Sequence, residues 1–405
     1  MEKNKFFKKV LKNGMTVIFE QRKSSGVVSV AFAVRHGGVH ESENEKGISH
    51  YIEHMLYKGT KNRTSKQISE DIEKNGGILN GFTDEELTAY WCKMPSKHLD
   101  IALDVLSDMV INPVFDENEL NKERKVIFEE MKMRRDRPDV YVLDKIQKLL
   151  YSGTLEMDVI GTEKTMNSIT REKIFDKFRK IYGSENMMLC VVGDADFKPL
   201  CDFCEKNFKK SGFKIKEPII GLKNGDKVET RAGIDQTNMI FAYHVPKASE
   251  EASYVGQVLS CLMAGGMSSR LWQEIREKRN LAYSVRGGFN GGKRFGYNYI
   301  FVGTAPQNLE TIKKLILEEF EKIKTIDENE INQVKEQLIG NSKISHEDSQ
   351  GQMMDLLYNE IWKDAKRSYE YEKAIEKVKL SDVKKLGALT KYSFIALTPE
   401  NKKEK

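Results

Sequence analysis

The chain has 405 residues, 39% hydrophobic and 31% charged, with 66 basic against 61 acidic side chains and a formal charge of +5. That length allows two or three domains with a sizeable core, and the near balance of charge excludes a dedicated nucleic-acid binder, which carries a lopsided basic surface. No run of about eighteen apolar residues is present to span a membrane.

In chain order, the start MEKNKFFKKVLKNGMTVIFE is charged and passes directly into a strand pattern. It has neither an apolar signal core nor the acid-poor character of a transit peptide, so the expected compartment is the cytoplasm. Strands are predicted over Thr16–Gln21 and Val27–Val34, followed by the glycine-rich loop HGGVHESENEKG. Next comes GISHYIEHMLYKGT, Gly47 to Thr60, in which Ile48, Ile52, Met55 and Leu56 are spaced to bury one face of a helix. A second helix is predicted over Ser65–Asn75, stopped by Gly76-Gly77, and then a strand pair, Ile78–Phe82 and Thr88–Met94. A helix over about Lys97–Val110 ends before Asn112-Pro113. A long charged helix from Glu117 to about Arg135 precedes Pro138, and a strand is predicted over Met188–Gly193.

Residues 210–226 are rich in lysine, glycine and turn formers and read as a linker. Beyond it the order of elements restarts. IEKNGGILNGF and the later TAYWCKMPSKHL are echoed by REKRNLAYSVRGGF and the later YIFVGTAPQNL, roughly 200 residues on, which points to a duplicated domain. The expected division is 1–212 and 226–405, and the tail NKKEK reads as a solvated end. The five cysteines are scattered, as suits a reducing compartment; Cys201 and Cys204 form a C-x-x-C with no second pair, too little for a zinc framework. The Asn62-Arg63-Thr64 sequon is expected to be incidental.

On a helix, positions i and i+4 lie one above the other, so His50 and His54 present two imidazoles on one side, the geometry a tetrahedral zinc asks of two nitrogen ligands. Glu53 lies on the adjoining flank, able to reach a water at the metal without binding the metal. The order H-x-x-E-H is among the catalytic zinc motifs. Taken alone, the five residues fit two ordinary helix histidines as well. ERKVIFEEMKM offers a third ligand: with Glu130 in that place the set would be two histidines and one carboxylate, Glu123 two turns earlier shares its face and could then orient a ligand, and Glu129 points about 100° away. The same segment also fits a charged, solvent-facing stripe.

The ordered set GISHYIEHMLYKGT, NGFTDEELTAY, ERKVIFEE, VIGTEKTMNSIT, NMMLCVVGD and SSRLWQEIREKRNLAYSV resembles the pitrilysin/insulinase (M16) family of zinc peptidases, above all the short forms similar to mitochondrial processing peptidase. The resemblance implies an α+β fold of two homologous domains, each a mostly antiparallel sheet packed with helices, joined into a half-shell. It implies one zinc per chain held by His50, His54 and Glu130, Glu53 as general base, and Asn80, Gly81, Phe82 and Thr83 as the edge strand to which an extended peptide adds. Arg276 and Tyr283 match the family pair that contacts the substrate carbonyl and the oxyanion. One chain supplies one half-shell, so a homodimer cutting peptides or unfolded segments in an enclosed chamber is expected. The alternative is a non-catalytic structural or assembly subunit of the same fold. Three departures stand out: Asn80-Gly81 where the family often has Asn-Ala, Asn280 where a glycine is common, and YSGTLEMDVIGT without the usual His-Pro-Leu-Gly. The acidic residues Glu41, Glu43, Glu45, Asp84, Glu85 and Glu86 suggest either a taste for basic peptides or a solvated loop.

Overall fold

Near-continuous apolar runs such as VVSVAFAV and MMLCVVG mark strands covered on both faces, and they lie at the centre of a sheet. The structure, a computed structural model, describes residues 4–400; the predicted solvated end NKKEK lies outside them. The strands are β1 (Lys5–Val10), β2 (Thr16–Gln21), β3 (Val27–Val34), β4 (Ile78–Thr83), β5 (Thr88–Pro95), β6 (Tyr151–Gly153), β7 (Met187–Gly193), β8 (Ile220–Leu222), β9 (Asp226–Arg231), β10 (Thr237–His244), β11 (Ala282–Gly291), β12 (Gly296–Thr304) and β13 (Ser393–Pro399). The helices of the first half are α1 (Ile48–Leu56), α2 (Ser65–Glu73), α3 (Leu99–Ile111), α4 (Glu117–Asp136), α5 (Pro138–Leu150), α6 (Glu163–Ser168), α7 (Arg171–Ile181) and α8 (Phe197–Asn207). Those of the second are α9 (Ser253–Ala264), α10 (Leu309–Lys322), α11 (Glu328–Glu347), α12 (Ser349–Trp362), α13 (Tyr371–Glu376) and α14 (Leu380–Gly387).

The chain packs as two units. One takes the described residues through Met131, then Met157–Ile219 and Ile344–Ser368; the other takes Lys132–Glu156, Ile220–Lys343 and the described residues from Tyr369 on. Where composition suggested a single break near residues 210–226, the units interleave. The reason is reciprocal: the helix after each half's 20-residue helix belongs to the other unit, α12 packing on β3 and β7 and α5 on β10 and β13.

In the first unit the sheet runs β1-β2-β7-β3-β5-β4, antiparallel except for β2 against β7. In the second it runs β11-β12-β10-β13-β9, antiparallel except for β9 against β13. Leaving out β1, the second order is the first repeated: β4, β5, β3, β7 and β2 correspond to β11, β12, β10, β13 and β9. The chain is an α+β duplication. Each sheet buries one face under its unit's main core. The other face of the first sheet is covered by α12, where Met353, Leu356 and Leu357 meet Ile18, Ala31, Ala33 and Cys190. Polar contacts reinforce it: Ser29 pairs with Ser349 at 2.9 Å, and the Glu360 carboxylate accepts from Arg35 at 3.0 Å and Lys8 at 2.6 Å. None of the described helices is long and apolar enough to cross a membrane.

Candidate metal centre

The site is built where α1 meets α4. Ile48, Tyr51, Ile52, Met55 and Leu56 are fully buried and seat α1 against the core, leaving His50 and His54 half-buried on its flank. Gly47, the N-cap, has φ +93 and no side chain to cap with, and an added Cβ would lie 2.4 Å from Met166 Cε. Glu41 caps the helix in its place, accepting from the N–H groups of Gly47 (2.8 Å) and Ser49 (2.7 Å). The acidic loop is therefore neither wholly solvated nor wholly available to substrate: Glu41, Glu85 and Glu86 are buried. The start of α4 is set by Asp116, whose Oδ1 accepts from Asn118 and Glu119 N–H, and by Arg124, which donates to the carbonyls of Met166 and Ile169.

The two imidazole rings lie 4.6 Å apart between centroids. Glu130 brings Oε2 to 3.6 Å from His50 Nε2 and 3.7 Å from His54 Nε2. One donor atom from each of the three residues lies within 4.8 Å of the others, the only such trio of His, Cys, Asp or Glu among the described residues. These separations are too long for good hydrogen bonds. They approach the ~3.3 Å that separates neighbouring donors around a tetrahedral ion with bonds of about 2.0–2.1 Å. The donor set fits zinc: two imidazole nitrogens and a carboxylate, with a fourth position open. Charge agrees with geometry. Burial disfavours protonation of His54, yet the hydrogen bond to Glu123 and the charges of Glu53, Glu130 and Glu123 hold its pKa above the usual histidine value, the mark of a site that favours a cation.

Behind the ligands, Glu123 is buried and its Oε2 lies 3.1 Å from His54 Nδ1 while Oε1 accepts from Lys58 Nζ at 2.7 Å. Burial opposes its charge, but these two donors overcome the effect and keep its carboxyl below the ordinary range. A proton held on Nδ1 leaves Nε2 free as a ligand. Glu53 is buried, and burial pushes its carboxyl up to about 7 against the pull of His54 and of Thr83, whose hydroxyl donates to Oε2 at 2.9 Å. Glu129 is exposed.

Thr83 closes β4, the outermost strand of its sheet. Asn80 on the same strand is exposed and its Oδ1 accepts from the Gly81 N–H at 2.8 Å. At Gly81 an added Cβ would lie 2.4 Å from the Tyr57 hydroxyl and 2.9 Å from the Ala89 carbonyl, so the glycine accommodates Tyr57. Phe82 stacks on Tyr358 with ring centroids 6.2 Å apart. In the second unit, Arg276 sits on a π-helical turn, Trp272–Glu277, its guanidinium 4.3 Å from the Trp272 ring centre and 5.8 Å from that of Tyr283, which is 75% exposed at the start of β11. The Cys201 and Cys204 thiols are buried and burial raises both pKa values, the environment of inert cysteines. Asn62 of the sequon donates its amide to Asp108 at 2.6 Å.

Lys58 and Tyr57 were not singled out in the sequence, and Thr83 was expected only on the substrate strand, not as the partner of Glu53. Lys58 lies just past the end of α1 and meets Glu123 on α4, while Thr83 and Tyr57 meet Glu53 and Gly81 where α1 packs on β4, contacts that no local pattern announces.

Comparison with known proteins bears on the family of the chain. Residues 16–163 match the family model "Insulinase (Peptidase family M16)", and residues 168–338 match "Peptidase M16 inactive domain". The uncharacterized zinc protease YmxG of Bacillus subtilis is 31% identical over 356 residues, covering 86% of each chain. An uncharacterized zinc protease of Rickettsia felis is 33% identical over 342 residues, covering 83% of each. Among solved structures, a protease from Helicobacter pylori superposes with a TM-score of 0.90 at 22% identity, over 98% of this chain and 100% of that one. A Pseudomonas fluorescens structure described as a peptidase M16 inactive domain gives 0.87 at 19%, over 99% and 100%. At such identities the structural likeness speaks to the fold.

Proposed function

Since the chain belongs to the insulinase (M16) peptidase family, we propose that it is a zinc-dependent endopeptidase acting on peptides and unfolded segments, with one zinc per chain. The observation that carries this reading is the convergence of His50, His54 and Glu130 donors within 4.8 Å beside a buried Glu53. In it, His50, His54 and Glu130 hold the metal and Glu123 orients His54. When bound, zinc supplies a Lewis acid that polarises a carbonyl and acidifies water. Glu53, its carboxyl raised to about 7 and steadied by Thr83, takes the proton of the attacking water and passes it to the leaving amine. The substrate lies as an added strand along Asn80–Thr83, its main chain bonding to the outer edge of β4. Arg276 and Tyr283 supply donors for the developing negative charge, acting from the second protomer of a homodimer.

Glu53→Gln keeps the size and neutral hydrogen bonding of the residue but cannot shuttle the proton. Hydrolysis of an unfolded polypeptide is expected to fall by at least about a hundredfold with zinc content unchanged. Retained turnover in a zinc-loaded variant would remove Glu53 from this role. A non-catalytic subunit would show no hydrolysis in the wild-type protein either.

A further inference from the structure

Alternate residues of a strand share a face. On β4, Leu79 packs with the main core and Thr83 reaches Glu53. Ile78, Asn80 and Phe82 therefore turn the other way, toward the face covered further in by α12. Ile78 is 60% exposed. Phe82 is half-buried on the Tyr358 ring, which leads on to Trp362 with centroids 5.7 Å apart. Of the charges beside it, Asp84 accepts from the Tyr358 hydroxyl at 2.9 Å, and Lys93, opposite Ile78 in the register, pairs with Asp348. The outer edge of β4 has no strand partner among the described residues.

We propose that this row forms two apolar subsites for an extended peptide, one over Ile78 and one over Phe82 and Tyr358, selecting aromatic or branched aliphatic residues four positions apart. The inference rests on the reading of β4 as the substrate strand. In a strand added to β4, residues opposite Ile78 and Phe82 fall on this same face, with Cβ atoms about 5 Å away, so their side chains meet these two. Asn80 between them offers a polar surface, and Lys93, the cation opposite Ile78 in the register, is paired with Asp348. The pattern required is therefore apolar, three residues of any kind, apolar.

Binding is measured separately from hydrolysis, by fluorescence anisotropy of short labelled peptides with the zinc-loaded Glu53→Gln protein. A peptide with leucine or phenylalanine at the two positions is expected to bind about tenfold tighter than one with alanine at both. Ile78→Ser, at an exposed position that folding tolerates, is expected to erase the preference at one position only, and Phe82→Ala at the other only. Equal affinity for the two peptides, a best spacing other than four, or a preference surviving both substitutions would overturn the proposal. Selective binding with no wild-type hydrolysis would leave these subsites standing and sink the peptidase reading. Hydrolysis without this selectivity would do the reverse.

Discussion

Glu123 and His36 show how single buried groups set the properties of the site. Glu123 meets Nδ1 of His54, one of the three proposed ligands, and is itself held by Lys58. Glu123→Ala is expected to weaken zinc binding by about 10–100-fold, measured by chelator competition, with the fold intact; unchanged affinity would deny it an orienting role. His36 is buried with Nδ1 3.0 Å from Ser49 Oγ, near the entry to α1. Burial first, then the charges of His40, Lys177 and Lys46, push its pKa well below 6.5. The unfolded ring takes a proton below about pH 6.5 that the folded ring refuses. Its contribution to stability is therefore intact above that pH and declines as pH falls below it, by at most about 1.4 kcal/mol per unit. His36→Gln is expected to flatten the fall in denaturation midpoint between pH 6.5 and 5 relative to wild type; an identical slope would contradict this. At this scale the sequence showed His50, Glu53 and His54 because helical spacing is local. It did not show that Glu41 is a buried cap, since the loop HGGVHESENEKG reads as polar until its carboxylate is seen to meet two helix N–H groups.

β4 is the element on which function and stability meet. Its Asn80-Gly81 step, a departure from Asn-Ala, is matched by the Tyr57 hydroxyl standing where a methyl would go. Gly81→Ala is expected to lower stability by about 1–3 kcal/mol. Adding Tyr57→Phe, which removes the hydroxyl, is expected to restore part of the loss; thermal unfolding of the single and double variants measures both, and additive losses would contradict the pairing. Asn280, a second departure, has φ +51, a left-handed conformation that asparagine tolerates where glycine is common, and its counterpart Gly76 has φ +76. Thr16–Gln21 and Val27–Val34 were legible end to end because their apolar runs are strong. β1 and β13 were not: KFFKKV is half-exposed, and Ser393–Pro399 owes its place to a parallel partner far back in the chain, which no local pattern announces.

For the whole molecule, the echo between the two halves in sequence proves to be a repeated sheet order with a shared parallel pair. The reciprocal placing of α5 and α12 was invisible in the sequence, because an amphipathic helix shows which face it buries and not against which sheet. Glu53 and Arg276 stand in different units of the chain, and the proposed homodimer brings them together across protomers. Mixing a Glu53→Gln chain with an Arg276→Ala chain is expected to restore part of the activity that each lacks; no recovery in verified mixed dimers would contradict action across protomers. The central claim, that His50, His54 and Glu130 hold one zinc per chain, is tested most directly by metal analysis of protein purified without chelator, wild type beside a folded His50→Ala variant. The account predicts one zinc per wild-type chain and close to none in the variant; a zinc-free wild type, or equal zinc in both, would contradict it.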